Sequence, residues 1–401
     1  MKCTLFLIVM LIISVNINAQ RVDNGSISRG KGIVTSDNLF SSCKGSRPAR
    51  LGMSTTTDAK TWVVPAETSF LTGPSLHDLY NECNGITPSS FSNVNINQLP
   101  ITILDSDGEI ITGYMISDNY CELYVNGTLI GKDPVPFTPF NACIARFKVK
   151  RPYTIAVKLV DWEENSGLGT ENNNGNPHHA GDGGFIARFS DGTISDSTWK
   201  AQVYYISPIA SPDSVITLPN NTRFTNQVAR NINCADSCYA IHYPIPDGWT
   251  KQTFSDEDWP HAKEYAPSIV GVNWAAWTNF PDLWNNKNFI WSSNLVVDNL
   301  VLLRKTIGQT TDISEDQVMP EFTVEIADNT IRIASKNMHE DIRCNVYSIL
   351  GESLGHSHIP MISNIAPAEL TFNPPKGNFI ALLVLESKGI PLFFKQCILS
   401  Q

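Results

Sequence analysis

The residues best equipped for chemistry lie in one stretch. Asp161-Trp162-Glu163-Glu164-Asn165 is followed by Glu171 and then by Asn172-Asn173-Asn174-Gly175-Asn176-Pro177-His178-His179-Ala180-Gly181-Asp182-Gly183-Gly184. Carboxylate and amide oxygens are what a hard cation takes, so Asp161, Glu163 and Asp182 form a candidate calcium set. The paired histidines would suit a transition metal instead. The same groups can hydrogen-bond sugar hydroxyls beside an indole face. On that reading Trp162, Glu163, Glu164, His178, His179 and Asp182 contact a glycan. Two carboxylates among Asp161, Glu163, Glu164 and Glu171 could also flank a glycosidic bond, given the right separation. The plain alternative is a long, solvated, Gly/Asn-rich loop between two strands.

A second candidate surface is aromatic. Trp274, Trp277 and Trp284 stand among asparagines, with Phe280, Phe289 and Trp291 nearby. Indole faces stack on pyranose rings, so these three tryptophans are a candidate sugar platform, with core packing as the competing reading. Asp105-Ser106-Asp107-Gly108-Glu109 starts like a calcium loop but lacks the later ligands. No GxSxG, HExxH or phosphate-loop motif occurs.

The elements that must position these groups are short and β-like. Expected strands include 101–104, 121–125, 145–149, 154–159, 184–189, 201–206 and 300–304. Between them sit turn signals such as Asn126-Gly127, Asp191-Gly192 and Asp247-Gly248. One short helix is expected over 75–81. Trp199 and Trp259 read as plugs in a sandwich core. Residues 20–57 read as a flexible lead-in, 58–308 as the main unit and 309–317 as a linker. A second small β unit spans 318–401, with strands at 322–326, 330–333, 344–348, 368–372, 378–385 and 392–397.

Charge and cysteines narrow the setting. The net charge is −10 and no Lys/Arg cluster stands out, which argues against nucleic-acid and anionic-membrane partners. Lys2 precedes an uncharged run from Leu5 to Val15, and Ala19 is a small residue at the expected cut, so 1–19 reads as a signal peptide. That run is too short to span a bilayer, which takes about 20 apolar residues. Nine cysteines are present and Cys3 leaves with the signal, which leaves an even number in an exported chain. Cys234 with Cys238, and Cys344 with Cys397, are the expected disulfides. No CxxC pair supports zinc.

Two family resemblances extend this reading. Asn345-Val346-Tyr347-Ser348-Ile349-Leu350-Gly351-Glu352, then Lys376-Gly377-Asn378-Phe379-Ile380, Glu386-Ser387-Lys388-Gly389 and Phe394-Lys395-Gln396 resemble the C-terminal sorting domain of the type IX secretion system of Bacteroidetes. Phe379 stands where that family usually has Tyr. In the main unit, three segments resemble galactose-binding-like domains found beside glycoside hydrolases. They are Ser117–Gly131 with its Asn-Gly turn, Phe189–Lys200 and Phe254–Ala262. The resemblances imply an all-β chain, a galactose-binding-like jelly-roll β-sandwich followed by a small immunoglobulin-like sandwich. They imply a secreted or outer-membrane-surface carbohydrate-binding-like protein with no catalytic domain of its own. Its partners would be a glycan and the type IX machinery. The alternatives are a secreted polysaccharide hydrolase using the Asp161–Asp182 loop, and a structural or adhesive surface protein.

Overall fold

The computed structural model describes residues 25–40, 47–137, 141–172, 175–227, 229–285, 287–308, 322–327, 330–335, 339–348, 353–362, 367–371, 379–387 and 390–399. The expected signal peptide, the linker 309–317 and the turn glycines Gly351 and Gly377 lie outside the described residues. Contacts divide the chain into two compact units, Met1–Gln309 and Thr310–Gln401. Among the described residues, no helix is long and apolar enough to cross a membrane.

The chain is all-β, as expected. The first unit is built on two seven-stranded sheets. One runs in the order Ser26–Arg29, Tyr239–His242, Lys200–Ile209, Asp298–Ile307, Tyr153–Val160, Tyr120–Val125, Thr128–Lys132. The other runs Lys263–Tyr265, Phe289–Trp291, Gly184–Phe189, Glu109–Asp118, Ala142–Val149, His77–Tyr80, with Thr102–Ile103 also pairing to Ala142–Val149. Apart from that last parallel pairing, neighbours in these two sheets run antiparallel. Inward residues of both sheets form one apolar core, including Val157, Leu159, Ile186, Val203 and Leu302. Asn126 and Gly127 take φ of 50° and 87°, which is the positive-φ pair that a two-residue hairpin turn demands. Trp199 and Trp259 are core plugs: the Trp199 indole donates to the Ile194 carbonyl at 2.8 Å, and Trp259 packs edge-on against Phe254.

Two expectations give way here. Residues 77–80 form a strand rather than part of a helix, because a seven-residue amphipathic run is too short to hold itself and pairing with Ala142–Ile144 satisfies its backbone. The lead-in is also not a loose segment. Ser26–Arg29 adds an edge strand to the first large sheet, and Ile33–Ser36, Leu51–Thr55 and Thr61–Val64 form a three-stranded sheet of their own.

His242 clamps these N-terminal strands to the body. Its ring lies between the stacked faces of Trp62 (centroids 5.4 Å apart) and Tyr205 (5.0 Å), and its Nε2 shares a 2.8 Å hydrogen bond with the Ser28 hydroxyl. Burial pushes its pKa down to about 3, so the ring is neutral in the fold.

The second unit holds a three-stranded sheet, Phe322–Ala327, Thr330–Ser335, Ala368–Thr371, and a four-stranded one ordered Ser353–Ile362, His339–Ser348, Phe379–Ser387, Ile390–Leu399. Strand 353–362 escaped the sequence pattern because Gly355 and Pro360 interrupt it; at a sheet edge a proline costs no ladder bond.

Cys234 and Cys238 are bonded, and Cys83 is disulfide-bonded as well. The expected Cys344–Cys397 bridge does not form. Cys344 sits opposite Leu385, itself opposite Phe393, whereas Cys397 sits opposite Ala381. Two strands of ~4.8 Å and four residues of ~3.3 Å separate their Cα atoms by roughly 16 Å, and a disulfide needs less than about 7 Å.

The neutral His242 gives a pH signature. The unfolded ring takes up a proton near pH 6.5; the folded ring does so only near 3. Stability is therefore present above pH 6.5 and drains as pH falls through that window. The melting-temperature advantage of the wild type over His242→Phe should shrink steadily from pH 7 to pH 4. An advantage independent of pH would contradict the buried-neutral assignment.

Candidate functional site

Three carboxylates reach one end of the sandwich because of where their strands stop. Asp118 is the last residue of Glu109–Asp118, Asp161 follows Tyr153–Val160, and Asp182 comes just before Gly184–Phe189. Gly184 pairs with Asp118, which brings Asp182 to it, and Asn119 N donates to the Val160 carbonyl at 3.2 Å, which brings in Asp161. Glu171 joins them because the loop doubles back on itself: Glu171 N donates to the His179 carbonyl at 2.7 Å, and His179 N returns the bond at 3.2 Å.

The loop is not a solvated flap. Residues 161–171 are buried throughout. Glu163 explains how a polar chain can fold inward. Its carboxylate accepts from Gly167 N (2.8 Å), from Gly169 N and from the Tyr205 hydroxyl (3.3 Å). Gly167 and Gly169 have φ of 86° and 57°, so the turn around this carboxylate favours glycine. Burial lifts the Glu163 pKa to about 7 against those hydrogen bonds. Glu163 is thus the internal cap of its own loop, and its expected roles as metal and sugar ligand fall away.

Two arginines complete the arrangement. Arg47 lays a fork on Glu164 (Nε and Nη2 each 3.3 Å from an oxygen) and reaches Glu171 with Nη1 at 2.8 Å. Arg230 pairs with Asp182 at 2.6 Å. Asp118 Oδ1 accepts from Asn119 Nδ2 at 2.7 Å, and Asn119 Oδ1 accepts from Trp162 N at 2.6 Å. Asp161 is 2 % exposed, and its Oδ1 has no hydrogen-bond partner. A Cβ on Gly181 would come within 2.9 Å of Asp161 Oδ1 and 3.1 Å of Glu171 Oε1, so both carboxylates press on the bare Cα of that glycine.

The electrostatics follow from this crowding. Burial, then the charges of Asp182 and Glu171, push Asp118 well above the usual carboxylate range. Burial, then Glu171, Asp118 and Asp182, do the same to Asp161. Asp182 is lifted by burial to about 6 despite Arg230. Such groups hold protons or demand positive charge.

The remaining expected site residues scatter. Trp162 is buried, donates its indole N–H to the Arg50 carbonyl at 3.1 Å and packs edge-on against Tyr120, so it is core rather than a sugar platform. His178 turns toward Asp236 (3.9 Å), and burial lowers the His179 pKa. Trp284 is fully buried against Trp277, which also stacks on Phe289. Of that aromatic trio, Trp274 alone is well exposed, at 43 %. The metal set Asp161, Glu163 and Asp182 does not assemble, and among the described residues no three His, Cys, Asp or Glu side chains close into a ligand set. The Asp105–Glu109 turn spends its acids elsewhere: Asp105 accepts from Lys150 N, Asp107 pairs with Lys150, and Glu109 pairs with Arg151. Arg47, Asp118 and Arg230 were missed because no local pattern marks them; their partners lie far along the chain.

No family model and no curated protein matches the chain. Solved structures similar to it include a β-glucuronidase of glycoside hydrolase family 2 (9 % identity, TM-score 0.15, covering 94 % of this chain and 31 % of the other). Others are the apo lectin of Pleurotus ostreatus (12 %, 0.15, 74 % and 72 %) and the BSP domain of a biofilm-associated protein (8 %, 0.17, 95 % and 67 %). The chain spans about a third of the glucuronidase's length. Likenesses this distant add nothing to the fold already described.

Arg47 and an exposed pair make a quantitative contrast. Arg47→Met strands two buried carboxylates and should cost about 3–5 kcal/mol in chemical denaturation. Lys31→Met, which breaks the solvent-exposed Lys31–Asp236 pair, should leave the denaturation midpoint nearly unchanged. Equal losses would show that the Arg47 fork is not holding the loop.

Proposed function

We propose that the chain is an exported, surface-displayed, carbohydrate-binding-like protein without its own catalytic domain, and that the acid–arginine end of the sandwich is its glycan contact. The observation that carries this is the Asp182–Arg230 pair at that end, where the Arg230 side chain remains 39 % exposed. A sugar hydroxyl both donates and accepts. A carboxylate beside a guanidinium offers it one acceptor and a set of donors in fixed geometry. His178 and His179, on the returning arm of the same loop, extend this polar rim.

The export part of the proposal rests on the two ends of the sequence. The C-terminal unit is a β unit of the kind the sorting-domain resemblance calls for. Asn345–Ser348 lie on strand His339–Ser348, next to Phe379–Ser387, and Lys395 lies on the last strand. Removing 318–401 should then leave the protein inside the outer membrane of a host that carries the type IX system, as read by surface proteolysis.

One observation favours the hydrolase alternative. A carboxyl lifted to about 6, as Asp182 is, can serve as a general acid. Hydrolysis would show as product release from a polysaccharide, lost in Asp182→Asn.

The glycan reading is checked on an array of neutral and acidic polysaccharides with the full chain. Wild type should retain at least one ligand, and Arg230→Ala, assayed at a temperature where circular dichroism shows it folded, should weaken binding about tenfold or more. Trp274→Ala should leave binding intact. Loss on Trp274→Ala alone would move the site to the aromatic face, and no retention of any glycan would leave the adhesive alternative standing.

A further inference from the structure

At the buried end of the sandwich, negative charge outnumbers positive charge. Asp118, Asp161, Glu164, Glu171 and Asp182 are all buried. Arg47 is committed to Glu164 and Glu171, and Arg230 to Asp182. Left without an ion pair among the described residues are Asp118, which accepts from Asn119 Nδ2, and Asp161. Asp161 Oδ1 is buried and unpartnered, and it faces the same spot as Glu171 Oε1, against Gly181. An isolated buried carboxylate costs several kcal/mol, so it persists only with a proton or a cation beside it.

We infer that Asp161 and Glu171 hold a hard divalent cation of the calcium class at this buried end, with Asp118 and Asp182 supplying the surrounding negative field. The donors are carboxylate oxygens, which favours calcium over softer metals. Gly181 is the residue that lets the two carboxylates approach one spot: a Cβ there would lie 2.9 Å from Asp161 Oδ1 and 3.1 Å from Glu171 Oε1. Only two side chains bind directly, in keeping with the lack of a three-residue ligand set among the described residues. Such a sparse site belongs in the weak range, about 0.1–1 mM, found in extracellular calcium modules. The cation site stands whether or not the same end binds a glycan.

The test uses the full chain stripped with a chelator. Calcium chloride should raise the melting temperature and saturate near the millimolar range, beyond what sodium chloride of equal ionic strength does. Terbium should show emission sensitised by indole excitation, since Trp162 adjoins Asp161, and calcium should displace it. Asp161→Asn should fold without added cation and lose at least tenfold in calcium affinity. Glu171→Gln should weaken binding likewise, and gives a second reading if the first variant folds poorly. Asp107→Asn, in the loop whose acids are already paired, should bind as wild type. No thermal shift, terbium that calcium does not displace, or full binding by Asp161→Asn would each overturn the site.

Discussion

The Arg47 fork is the interaction on which the acidic end of this molecule depends. It joins the N-terminal strands to Glu164 and Glu171, more than a hundred residues away along the chain. Those two acids lie in a loop that would otherwise stay in water, because a carboxylate does not enter a protein interior unpaired. Once Arg47 neutralises them, the rest of the loop can follow. Glu163 closes its own turn around Gly167 and Gly169, Asn165 reaches the Pro177 carbonyl at 2.6 Å, and Glu171 pairs with His179 to form the returning arm.

This order of dependence explains why the N-terminal segment is structural. Its strands bring Arg47 and Arg50 to the loop: Arg50 Nη1 donates to the Glu164 carbonyl at 3.2 Å, and the Arg50 carbonyl accepts from Trp162. The same strands are held by the Trp62–His242–Tyr205 stack, and Tyr205 also reaches Glu163. Clamp and loop therefore share a side chain. Disturbance at one should be felt at the other, because residues in one network couple rather than add.

Much of the framework was legible in the sequence. Strand Gly184–Phe189 was marked by its apolar run, the 126–127 hairpin by Asn-Gly, and the Cys234–Cys238 bridge by its short spacing. Each is a local property. What escaped was set by distant partners. Trp162 resembled a sugar platform because its polar neighbours suggested a surface, yet those neighbours are themselves buried by Arg47 and by backbone amides. Asp118 was read only as part of a hairpin motif, and it becomes part of the acidic cluster through its register with Gly184. Cys344 and Cys397 are alone in their unit by sequence, but strand register holds them apart. Trp284 reads like Trp274 in the chain, and only packing against Trp277 separates a core residue from an exposed one.

Amide hydrogen exchange across residues 163–171 tests most directly whether this loop is body rather than flap. Gly167 and Gly169 donate their N–H groups to a buried carboxylate. They should exchange slowly, with protection approaching that of the central strand Tyr153–Val160. Exchange at the rate of an open loop, while that strand stays protected, would contradict the fold-dependent role assigned to Arg47 and Glu163.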